Sequence, residues 1–63
     1  MDEKIKILID NIEHKITSAN NYYRRRADRL GDSKIDQVDG MLEALQIITG
    51  DKYTIEGEKV KKI

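Results

Sequence analysis

Leu30-Gly31-Asp32-Ser33-Lys34-Ile35 decides how this chain is read. Glycine tolerates the left-handed conformation that ends a helix, and Asp or Ser caps the next one. Gly31 is therefore read as the stop of a first helix and Asp32 or Ser33 as the start of a second. Ser33-x-x-Asp36 is a weak variant of the capping box. Upstream, Ile5, Leu8, Ile9, Ile12, Ile16, Ala19, Tyr23, Ala27 and Leu30 fall within about 100° of arc at helical spacing. That places one apolar stripe along a helix over 2–30, with Asp2 and Glu3 at its positive end and Arg29 at its negative end. Downstream, Ile35, Val38, Met41, Leu42, Leu45 and Ile48 form a broader stripe over 33–49, ended by Gly50. Gly40 inside it either permits close helix approach or is a tolerated exposed glycine.

Residues 51–63 lose the helical period. Tyr53-Thr54-Ile55 and Lys59-Val60 flank Glu56-Gly57, which reads as a small hairpin, a strand pairing with another chain, or a frayed tail. The basic end, Lys59, Lys61 and Lys62, reads first as a solubilising tail and second as a contact for an acidic partner. The fold class is thus all-α: an antiparallel two-helix hairpin over 1–50 with a short C-terminal appendage. The short connection makes the helices antiparallel neighbours.

Composition bounds the rest. Of 63 residues, 38% are hydrophobic and 38% charged, with no Cys, Pro, Trp or Phe. One small domain fits, without disulfide, cysteine-based zinc or thiol chemistry. No apolar run is long enough for a membrane span, and no signal peptide opens the sequence, so a cytoplasmic location is expected. At this size burial barely offsets the roughly 1.5 kcal/mol per residue that ordering costs. With helix two ending near Thr17 of helix one, Ile5, Leu8, Ile9 and Ile12 overhang uncovered. Large aliphatics on an open face call for a second copy, so Ile5, Leu8, Ile9, Ile12 and Ile16 are expected at a homo-oligomer interface.

Twelve basic and twelve acidic residues cancel to zero net charge, but they are segregated. Residues 22–29 carry +3 and residues 30–51 carry −4. On helix one, Tyr22, Arg25, Arg26 and Arg29 share a flank at i, i+3, i+4 and i+7, with Lys15 two turns earlier. Guanidinium forks take phosphates or carboxylates bidentately, and tyrosine offers a ring for stacking. The set suits an anionic ligand such as a nucleotide. The bland alternative is a set of solvated bridges to Asp36, Asp39 and Glu43, each contributing about 0–1 kcal/mol. Zero net charge argues against a duplex-DNA binder.

Nothing here reads as an enzyme. His14, the sole histidine, lies opposite the core stripe with Asp10 and Ser18 one turn either side, and no nucleophilic triad can be built around it. Asp36, Asp39 and Glu43 read as a solvated face, and no Glu-x-x-His motif accompanies them. No metal and no cofactor are expected.

The stretch from Tyr22-Tyr23 through Asp39-Gly40-Met41-Leu42-Glu43-Ala44-Leu45 to Thr49-Gly50 resembles, in style, very short helical-hairpin proteins encoded by bacteriophages. It covers about half of the chain. The resemblance implies a small stoichiometric binder: an inhibitor of a host enzyme, or an oligomeric sponge that sequesters nucleotide signals of bacterial immunity. No residue role is carried over from it. A protein-interaction module using Asp36, Asp39 and Glu43, and a purely structural bundle, remain as alternatives.

Overall fold

The computed structural model describes residues 2–63. The order is α1 (Glu3–Arg24), α2 (Asp28–Thr49), β1 (Tyr53–Glu56) and β2 (Lys59–Lys62). The two helices are packed antiparallel neighbours, and the strands form a two-stranded antiparallel hairpin.

α1 begins where its sequence offers a cap. The Asp2 carboxylate accepts the Lys4 N–H at 2.9 Å, satisfying one of the donors that a helix start leaves without a partner. It ends at Arg24, six residues before the expected stop. Arg26 adopts φ 61°, the left-handed region. The Arg26 N–H then donates to Tyr23 O at 3.0 Å and the Ala27 N–H to Tyr22 O at 2.9 Å. This pair of bonds is a Schellman closure, with arginine where glycine is usual. Asp28 already starts α2. The expected helices over 2–30 and 33–49 are therefore corrected to Glu3–Arg24 and Asp28–Thr49.

Gly31 does not end a helix. It is buried near the start of α2, where an added Cβ would sit 2.5 Å from Tyr23 Cε1. Its lack of a side chain makes a flat seat for the Tyr23 ring. The left-handed Arg26 also resets the helical phase, so Leu30, in line with the stripe of α1 by count, is 54% exposed.

Moving the turn to residues 25–27 gives two helices of 22 residues each. Equal lengths leave no overhang, so the premise for uncovered Ile5, Leu8, Ile9 and Ile12 is corrected. Ile12 is fully buried and Ile16 is 3% exposed, both in a core with Val38 and Leu45 of their own chain. Ile5, Leu8 and Ile9 pack partly buried against that core.

α2 ends at Gly50, as its sequence indicates. Gly50 has φ 72° and donates its N–H to Gln46 O at 2.9 Å. The tail then folds back as a hairpin with Ile55 paired to Val60 and Glu56 to Lys59. The two turn residues are Gly57 and Glu58, one position later than Glu56-Gly57. That shift gives the positive φ, 64°, to Gly57 and spares both glutamates. Ile55, Val60 and Tyr53 pack on the helices. Outward strand amides are taken by helix side chains: Val60 N–H by Glu13 Oε2 at 2.8 Å, and Tyr53 N–H by Gln46 Oε1 at 2.9 Å. A two-stranded hairpin, marginal alone, is thus fixed to both helices. No described helix is long and apolar enough to cross a membrane.

Candidate functional site: the arginine turn

All four arginines of the chain lie between positions 24 and 29, in and beside the inter-helix turn. Arg24 closes α1, Arg25 and Arg26 are the turn, and Arg29 is in the first turn of α2. All four are exposed, and none has an ion-pair partner among the described residues. The bridges to Asp36, Asp39 and Glu43 of the same chain are not formed. Those acids lie progressively farther along α2, away from the turn.

The turn itself is held rigidly. Beside the Schellman bonds, the Tyr23 hydroxyl donates to Asp32 Oδ1 at 2.7 Å, joining the end of α1 to the start of α2. This bond to the carboxylate, helped by desolvation and by the negative charge of Asp32, pushes the Tyr23 phenol up to about 12. The ring rests on Gly31. Arg26 is therefore presented on a closed backbone motif, in a conformation that costs an L-residue roughly 1–2 kcal/mol.

α2 starts without a side-chain cap. Its N-cap is Ala27, which has no acceptor to offer the first amides. Leu30 and Gly31 N–H both reach Ala27 O at 3.1 Å. The amides of Asp28 and Arg29 are left facing the arginine-lined end of the helix, where partial positive charge favours an anion. The Asp28 side chain offsets part of that field.

The expected single flank of helix one is corrected, because α1 ends at Arg24 and the left-handed Arg26 interrupts the count. Half-buried Tyr22 lies in the last turn of α1, Arg25 and Arg26 in the turn, and Arg29 in the first turn of α2. Lys15 does not join them. It lies ten residues before Arg25, about 15 Å along the helix at 1.5 Å per residue. Its Nζ donates to Gln37 Oε1 at 2.8 Å, across the two helices. Arg24, the last residue of α1, is exposed next to Arg25 in sequence. The left-handed backbone at Arg26 changes the direction of Arg29, which an unbroken-helix count puts on the flank of α1.

His14 lines a different, open depression of about 240 Å³ with Asp10, Glu13, Thr17, Glu58 and Lys59. Glu58 there accepts from Thr17 Oγ1 and Asn20 Nδ2, each at 2.9 Å. Those bonds, that from Asn20 first, hold its carboxyl below the usual glutamate value. The depression is where the hairpin is anchored to α1. Among the described residues no group of three or more His, Cys, Asp or Glu side chains is arranged to hold a metal.

Comparison with protein-family models, with curated proteins and with solved structures gives no match.

Proposed function

We propose that this chain is a non-catalytic binder of an anionic ligand, with phosphate groups of a nucleotide as the preferred class, and that it works as a homo-oligomer. The observation that carries the reading is the turn itself. Four exposed arginines, with no ion-pair partner among the described residues, fall within six positions that include an uncapped helix start. Arg25, Arg26 and Arg29 would take phosphate oxygens as bidentate donors. Asp28 and Arg29 N–H would add backbone donors, and the Tyr22 ring an edge for a base. The left-handed Arg26 supports the same reading. A conformation that glycine would occupy at lower cost has been given to a cation, and strain of this kind accompanies function.

Because all four arginines are exposed, the ligand contact is electrostatic and salt-sensitive rather than deeply buried. Calorimetric titration with cyclic mono- and dinucleotides tests the assignment. Binding by the native chain and its loss in Arg26→Ala are expected. Absence of heat with every nucleotide, or unchanged affinity in the variant, would overturn it.

A further inference from the structure

The two-helix layer is covered on one side only. Glu13, Thr17 and Asn20 of α1 and Gln46 of α2 hold the β-hairpin on that side. The Lys15–Gln37 bond marks the opposite side. Helical phase places Leu8, Leu30, Met41 and Ile48 on this open side, with Lys4, Lys15 and Lys34 among them. Leu30 is 54% and Ile48 66% exposed. Every Asp and Glu of the two helices falls on another side. The open face is therefore apolar and cationic, with no carboxylate of its own.

The outward face of α2 has the opposite character. Asp36, Asp39 and Glu43 line it, all exposed. Gly40 lies between them with nothing within 4 Å, and Ile47 stands 75% exposed at one end. This is an acidic helix face with a glycine that admits close approach and an isoleucine to bury. Among the described residues, none of these lysines or acids is in an ion pair with another part of the chain. The charges are separated onto two faces and left unneutralised within one molecule.

We propose that the open cationic face of one copy receives the acidic outer face of α2 from a second copy. Packing two open faces together would set lysines against lysines, which opposes a symmetric contact between them. Acid on base favours the unlike pairing, and Leu30, Met41, Ile47 and Ile48 gain burial in it. The contact is heterologous, since each copy donates one face and receives on the other. It rests on charge placement away from the arginine turn, so it specifies the self-association proposed above without depending on the ligand.

Light scattering on the eluting protein tests this with two variants. Lys34→Glu spoils the receiving face and Ile47→Asp spoils the donating face; circular dichroism checks that both remain helical. The native chain should self-associate, weakening about tenfold or more between low and high salt, as screening of exposed charge requires. Each variant alone should be monomeric. Mixed one to one, they should form a two-chain complex and stop there, because the pair retains one intact donor and one intact receiver. A native monomer up to several hundred micromolar would overturn the proposal. So would self-association that survives both substitutions, or a mixture that stays monomeric. Capture by vesicles of anionic lipid without self-association would assign the open face to a membrane surface and overturn it too. Nucleotide titration of Arg26→Ala reads the turn separately, so the two proposals fail independently.

Discussion

Replacing Arg26 by glycine should make the protein more stable and a poorer anion binder. The native φ of 61° is left-handed, which costs a non-glycine residue roughly 1–2 kcal/mol. Glycine adopts it freely, but its greater freedom in the unfolded chain returns about 0.4–1 kcal/mol of that gain. The net stabilisation is about 0.5–1 kcal/mol. Both Schellman bonds are made by backbone N–H groups, so the substitution leaves them intact. For a domain this small, 1 kcal/mol moves Tm by about 4–8 °C, so a rise of about 2–8 °C is expected. Thermal denaturation followed by circular dichroism measures it. Calorimetry on the same sample should show anion affinity falling, since one guanidinium is gone. Arg26→Ala is the control: it removes the charge but retains the left-handed cost, so affinity should fall without the rise in Tm. An Arg26→Gly variant no more stable than the native chain would refute the argument that this turn is conformationally strained. Higher stability with unchanged affinity would separate the strain from ligand binding.

Gly31→Ala should destabilise by about 1–2 kcal/mol, since overpacking outweighs the helix propensity gained, and urea denaturation would show it. A neutral or stabilising result would mean the Tyr23 ring moves aside freely. Tyr23 should release its proton near pH 12, and Asp32→Asn should lower that value, as read by ultraviolet absorbance. Its folded pKa is raised above the ordinary 10. The associated stability is therefore complete below pH 10 and lost as pH rises toward 12. Glu58 titrates in the other sense. Its folded pKa is lowered, so its contribution is present above the ordinary glutamate value and disappears as pH falls through the lowered one. Acidification, or Glu58→Gln, should lower amide protection factors at the hairpin before the helices; a uniform loss of protection would refute separate anchoring.

Much of the fold is legible in the residues. Apolar spacing from Ile5 to Ala19 and from Val38 to Leu45 marks two helix faces, buried at Ile12, Ile16, Ala19, Val38 and Leu45 and partly buried elsewhere. Gly50 stops α2 because no β-carbon opposes its left-handed backbone. The connecting turn is not legible in the same way. Two signals agree on a later stop: Gly31, a natural helix end, and an uninterrupted apolar period through Ala27 and Leu30. Neither reveals that Arg26 turns left-handed, because arginine has no preference for that conformation. The same misplacement created the apparent overhang at Ile5–Ile12 and put Arg29 on the flank of the first helix.

The sequence by itself determined two amphipathic helices, a tail of different character and a block of positive charge beside a negative helix. Those properties follow from residue type and period, which are local. Tertiary structure alone decided where the chain reverses, because Gly31 was needed as the seat for Tyr23 and so could not serve as a stop. It also decided that the tail is a hairpin. Its outward amides required acceptors, and Glu13 and Gln46 become those acceptors only once the helices lie side by side.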